Sequence, residues 1–229
     1  MRTPVTLLAL LVALLLALPA PSLTIDNFEE GDFNVQDDTT TPTSTLGEVS
    51  GLSSANVVGG VRLVRSSASG TLGLATAQLT TTVAPDDGSQ LTYTGVSGVG
   101  DFAFIYDGVA NGAIDQTFGT LGLDLSSFTD LRIDAVAAAV TADVQVQMWS
   151  NTQQTSGLIP LVNGATLIPL TTFNTINLSD IRAIRVSILG VDLLETPIIN
   201  NISAVPEPGT GLLMAIGLVG LAIRRMRSR

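Results

Sequence analysis

The sequence predicts an all-β fold, an antiparallel β-sandwich flanked by a short apolar helix at each end of the chain. Three observations carry that expectation. Through residues 23–205, short runs rich in Val, Ile, Leu, Thr and Phe alternate with clusters of Gly, Asn, Asp and Pro. This is the pattern of many short strands closed by turns. No long stretch of that body repeats its apolar residues at the helical period. The two most apolar stretches lie outside it, at the chain ends. Residues 23–205 make a body of 183 residues, which suits one domain.

The elements follow in order. Met1-Arg2 is a positive start, and Val5 to Leu18 follow as 14 residues, mostly Leu, Ala and Val. Pro19-Ala20-Pro21-Ser22 comes next. A cation, a short apolar run and then small residues describe a secretory signal peptide over 1–22, cut before Leu23. The run is shorter than the roughly 20 residues a spanning helix needs. Leu23 to Phe28 reads as the first strand, closed by Glu29-Glu30-Gly31-Asp32. Thr39 to Thr45, with Pro42 inside, reads as loop. Gly60 to Arg65 alternates and reads as strand. Leu72 to Val83 holds one or two strands, ended by the turn signal Pro85-Asp86-Asp87-Gly88. Gln90 to Thr94 and Asp101 to Tyr106 are further strands, and Asp107-Gly108 and Asn111-Gly112 mark turns. Leu131 to Val140, Asp143 to Trp149, Thr166 to Leu170, Ile181 to Leu189 and Pro197 to Ile202 complete the set.

Composition excludes several chemistries. The chain has no Cys, His or Lys. It therefore lacks zinc thiolate sites, imidazole bases, P-loops and Schiff-base chemistry. The body carries five arginines against 19 acids, a formal charge of −14, which repels nucleic acid. Asp86, Asp87, Asp101 and Asp107 lie in or beside turns and read as solvated acids rather than a glycosidase pair. No Gly-x-Ser-x-Gly elbow occurs. No catalysis is expected.

The C-terminus has three parts in fixed order: Pro206-Glu207-Pro208, an apolar run over 209–223, and Arg224, Arg225, Arg227 and Arg229. The run of 15 residues is about 22 Å of helix, short against a hydrocarbon core of about 30 Å. Bilayer thinning and arginine snorkelling can offset the mismatch. The arginine cluster places the tail in the cytoplasm and the signal peptide places the body on the other side. This end, from 205 to 229, resembles the PEP-CTERM sorting signal of Gram-negative bacteria. The resemblance implies recognition by an exosortase, an integral-membrane cysteine protease cutting at or near Pro206-Glu207-Pro208. It also implies a precursor tethered transiently in the inner membrane and a mature form at the cell surface or secreted into an exopolysaccharide matrix.

One internal echo stands out. Leu123-Asp-Leu-Ser-Ser-Phe-Thr-Asp-Leu-Arg-Ile is matched by Ile176-Asn-Leu-Ser-Asp-Ile-Arg-Ala-Ile-Arg-Val. Such segments resemble those of galactose-binding-like jelly rolls, including many carbohydrate-binding modules. The resemblance implies a jelly-roll-like sandwich and a structural Ca²⁺ near the paired first and last strands. Asp26, Glu29, Glu30 and Asp32 cluster at the start and Asn200 and Asn201 at the end, and hard oxygen ligands suit Ca²⁺. Sugar binding needs rings with a polar handle, and Tyr93, Tyr106 and Trp149 are the candidates. Trp149 shares a strand face with Gln145 and Gln147, opposite Val144, Val146 and Met148. The expectation is an exported, non-enzymatic protein with a structural or adhesive role. The alternative is a carbohydrate-binding module for an exopolysaccharide.

Overall fold

The computed structural model describes residues 21–31, 33–38, 45–69, 74–80, 90–95, 99–110, 119–136, 141–192 and 197–206. Leu23–Val205 forms one compact unit. Its strands are β1 (Leu23–Asp26), β2 (Phe33–Asp38), β3 (Thr45–Ser50), β4 (Val61–Ser69), β5 (Leu74–Thr80), β6 (Gln90–Gly95), β7 (Val99–Tyr106), β8 (Phe128–Val136), β9 (Asp143–Trp149), β10 (Gln153–Thr155), β11 (Ile159–Pro160), β12 (Gly164–Pro169), β13 (Ala183–Val191) and β14 (Ile198–Pro206). They form two sheets, ordered β12-β8-β14-β6-β5-β2 and β10-β9-β13-β7-β4-β3, with β1 added to β14 and β11 to β9. The chain winds back and forth between the sheets, giving the predicted antiparallel, jelly-roll-like sandwich.

Alternation explains the core. On β8, Leu131, Ile133 and Ala135 are buried while Arg132 and Val136 are exposed. On β9, Val144, Val146 and Met148 point inward with no exposure. Ile184, Val186 and Ile188 of β13 and Phe102 and Phe104 of β7 meet them in the same cluster. From the other sheet come Ile168, Ile199, Ile202 and Ala204. Each fully buried Ile, Val or Phe contributes roughly 1.5–3 kcal/mol. Phe104 sits at the centre, with ring centroids 5.2 Å from Phe28 and 5.6 Å from Phe102, both edge-to-face.

The first half of the chain holds two strands that composition conceals. β2 and β3 are the outermost strands of their sheets, and edge strands need less apolar sequence. They meet closely: a Cβ on Gly47 of β3 would lie 2.4 Å from Cγ2 of buried Val35 on β2. Only glycine fits there. The predicted strand over Leu131–Val140 ends at Val136, and 137–140 lie outside the described residues. So do residues 1–20 of the expected signal peptide (1–22), most of the loop from Thr39 and the turn at Pro85–Gly88.

The two echo segments have the same local chemistry and bind each other. Asp124 Oδ1 accepts from Ser126 N at 2.9 Å and Ser126 Oγ at 2.6 Å. Asn177 Oδ1 accepts from Ser179 N at 3.2 Å and Ser179 Oγ at 2.8 Å. Both are turns in which a side-chain oxygen mimics a backbone carbonyl. Leu125 N donates to Leu178 O at 2.7 Å, and Leu123 and Ile181 exchange two backbone bonds of 2.9 Å. The repeat therefore launches one strand into each sheet, β8 and β13, from a shared anchor.

Candidate functional site

The acidic start of the body folds around an arginine. Asp26, Arg62 and Tyr106 are each completely buried. Arg62 Nε donates to Asp26 Oδ2 and one terminal nitrogen to Oδ1, a two-pronged pair. The other terminal nitrogen donates to the carbonyls of Glu30 at 3.0 Å and Gly31 at 3.2 Å. The Tyr106 hydroxyl donates to Asp26 Oδ2 at 2.8 Å. Phe28 N donates to Asp26 Oδ1 at 2.8 Å, holding Phe28 at φ +56° so that its ring stacks 4.9 Å from the guanidinium carbon. Burial pushes the Asp26 carboxyl above its ordinary value, and the Arg62 guanidinium pulls it back. Burial and the Asp26 charge push the Tyr106 hydroxyl well above its ordinary range. These groups tie β1 to β4 and β7 across the sandwich.

The structure places the residues expected at a calcium or sugar site as follows. The oxygens expected to face Ca²⁺ at Asp26 face a guanidinium, which already supplies the positive charge. Glu30 Oε1 accepts from Ser53 N at 2.7 Å and Asn56 Nδ2 at 3.0 Å, closing its loop. Glu29 is exposed, and Asn201 Nδ2 contacts Asp134 and Ser203 rather than the first strand. Asn200 is half-buried on β14, and Asp32 lies outside the described residues. No three acidic residues converge as a metal set among the described residues. Tyr106 offers no ring to a sugar, being fully enclosed. Trp149 does lie on the face of Gln145 and Gln147, but it is only 7% exposed where β10 folds back on β9 with Gln153 opposite it. Tyr93 lies on β6, opposite Ala77 of β5.

A different site occupies the outer face of the β4–β7–β13 sheet. Arg65 stands opposite Ala103, which stands opposite Ser187 in the next strand. Arg185 lies two residues along from Ser187, and Ser67 pairs with Asp101. These six residues, with Phe102 and Leu189, line a half-enclosed cleft of about 110 Å³. Ala103 makes its floor, because a methyl there leaves room between the flanking arginines. Among the described residues three ion pairs form: Arg62–Asp26, Arg132–Asp134 and Arg182–Asp180. The body's other two arginines, Arg65 and Arg185, pair with no carboxylate among those residues. They share the cleft instead. Arg185 Nε donates to Ser187 Oγ at 3.1 Å. Arg65 Nε is buried without a hydrogen-bond partner, a costly arrangement for a charged donor. Burial and then the Arg65 charge depress the Arg185 guanidinium below its ordinary value, with Asp101 opposing. Asp101 also accepts from Gly190 N at 2.8 Å, where β13 bulges. The sequence signal for this site was available but silent: Arg65 and Arg185 lie 120 residues apart, and only strand register unites them.

The last described element leads into the sorting segment. β14 ends at Pro206, and Ala204 pairs with Leu23, so the first and last strands of the body are neighbours. Glu207, Pro208, the apolar run over 209–223, Arg224, Arg225 and Arg227 lie outside the described residues. Among the described residues no helix is long and apolar enough to cross a membrane.

Solved structures similar to this chain include the family 11 carbohydrate-binding module of a cellulosomal cellulase from Clostridium thermocellum. It shares 10% identity, with a TM-score of 0.37, over 82% of this chain and 95% of that one. The same module in complex with a β-1,3-1,4-mixed-linked tetrasaccharide gives 11% identity and a TM-score of 0.37, over 81% and 95%. A Ruminococcus gnavus fucosidase in complex with fucose gives 13% and 0.32, over 63% of this chain and 25% of the enzyme. At this distance no ligand carries over. No curated protein matches the chain. Residues 204–227 match the PEP-CTERM protein-sorting motif, and the chain is thereby an exported protein sorted at the membrane by an exosortase.

Proposed function

We propose that the sandwich serves at the cell surface or in the extracellular matrix as a non-catalytic structural or adhesive protein. The sorting motif over 204–227 carries this reading. Two further features support it. Leu23, the first residue after the expected signal-peptide cut, begins β1, and Pro206 ends β14. Cuts at both places leave the paired terminal strands intact. The absence of His, Cys and Lys removes the commonest bases and nucleophiles. The test is subcellular fractionation of the native host expressing the wild type and Glu207→Ala. We expect wild type in the surface or matrix fraction and the variant retained in the inner membrane. Equal distribution of the two, or wild type in the cytoplasm, would overturn the proposal.

A second reading, polysaccharide binding, is favoured by the cleft that Arg65, Arg185, Asp101, Ser67 and Ser187 line. Tyr106 and Trp149 are enclosed, so recognition at this cleft is by hydrogen bonds and charge. Affinity electrophoresis in polysaccharide gels tests it; unchanged mobility in every gel removes it.

A further inference from the structure

We infer that the cleft between Arg65 and Arg185 binds the carboxylate of a uronate unit in an acidic polysaccharide. The inference rests on the polysaccharide-binding reading and names its ligand class. Four observations support it. The two body arginines lacking an ion pair among the described residues are brought together from β4 and β13. The two guanidiniums repel each other across the cleft, and a bound anion relieves that repulsion. The buried Arg65 Nε still lacks an acceptor, and a carboxylate supplies two oxygens to the guanidinium fork. Asp101 offsets one of the two positive charges, so the cleft suits a monoanion better than a dianion. Ser67 and Ser187 border it, and Gln145, opposite Ser187 on β9, extends the polar row. These groups can meet the hydroxyls of a sugar ring. Glu48 on β3 and Asp143 on β9 mark the acidic margins of the face. Repulsion from the rest of the body is screened beyond about 8–10 Å at physiological salt, so attraction is confined to the cleft.

The test is affinity electrophoresis and competition binding with the full chain in detergent, using polygalacturonate, neutral mixed-linkage β-glucan, dextran sulfate and free galacturonate. We expect retardation by polygalacturonate alone. Arg65→Gln and Arg185→Gln should each weaken it roughly tenfold or more. Arg132→Gln, on the opposite sheet and already paired with Asp134, should bind as wild type. Ala103→Leu keeps both charges and fills the floor, and it should weaken binding similarly. It decides the matter if an arginine variant fails to fold. Removing one of two like charges should leave the melting midpoint of Arg185→Gln unchanged or raised, which a merely structural arginine would not do.

Several results overturn the inference. Equal loss in Arg132→Gln means general charge attraction. Equal binding of dextran sulfate means an unselective anion site. Free galacturonate competing as well as the polymer means a small acid is the ligand. Wild-type retardation by neutral glucan, unaffected in all variants, sinks the uronate assignment while the polysaccharide reading survives. Binding to no polymer removes both.

Discussion

Replacing Asp26 with Ala leaves the Arg62 guanidinium buried with no counter-charge. Both side chains are fully enclosed, so water cannot take the carboxylate's place without opening the sandwich. Truncating one partner of a buried pair costs about 3–5 kcal/mol. For a domain of this size each kcal/mol moves the midpoint by about 2–4 °C, so the Tm should fall by roughly 6–20 °C. Tyr106→Phe removes one hydrogen bond to the same carboxylate and should cost less, about 1.5–3 kcal/mol. The double variant Asp26→Leu with Arg62→Met removes both charges and keeps most of the volume. It should recover most of the loss, because an apolar substitute spares the desolvation cost of the pair. Thermal melts followed by circular dichroism read all three. A midpoint for Asp26→Ala within about 2 °C of wild type, or a double variant no better than the single one, would refute the lock.

Two smaller changes probe other parts of the fold. Gly47→Ala places a Cβ 2.4 Å from Val35 and should cost about 1–3 kcal/mol by overpacking; combining it with Val35→Ala should restore the midpoint, and a wild-type melt for the single variant would contradict the close approach. The Ser126 hydroxyl and backbone N–H hold the Asp124 carboxyl below its ordinary value. Its contribution is therefore present above the ordinary carboxylate range and fades as the pH falls through the lowered pKa. Asp124→Asn, which can form the turn that Asn177 already makes, should fold and lose that acid-side slope; parallel pH–melting curves for the two proteins would count against it.

Much of the sandwich was legible because alternation and turn chemistry act locally. β9 spans the residues expected, Asp143–Trp149, and β8 buries Leu131, Ile133 and Ala135. The echo around Asp124 and Asn177 announced a shared turn, although its mutual pairing is a long-range fact. β2 escaped because Asn34, Gln36, Asp37 and Asp38 dilute its apolar signal at a sheet edge. The site was harder to see. In Val61-Arg-Leu-Val-Arg65, alternation invites Val61 and Leu63 to the core and Arg62 to the surface. The structure does the reverse: Arg62 shares the inward face with Val64, while Val61, Leu63 and Ile105 form a separate apolar cluster. A buried Asp26 and Tyr106 make that inversion possible, and neither is near Arg62 in sequence. Of the acids in the stretch that begins at Asp26, Asp26 itself is paired with a cation of the same chain, Arg62.

The most direct measurement is intact-mass spectrometry of the protein recovered from the surface or matrix of its native host. We expect a species beginning at Leu23 and ending at or near Pro206-Glu207-Pro208, lacking the arginine tail, its amount falling when the exosortase is deleted. Recovery of the intact 229-residue chain from the cytosol, in cells with or without exosortase, would contradict export and sorting together.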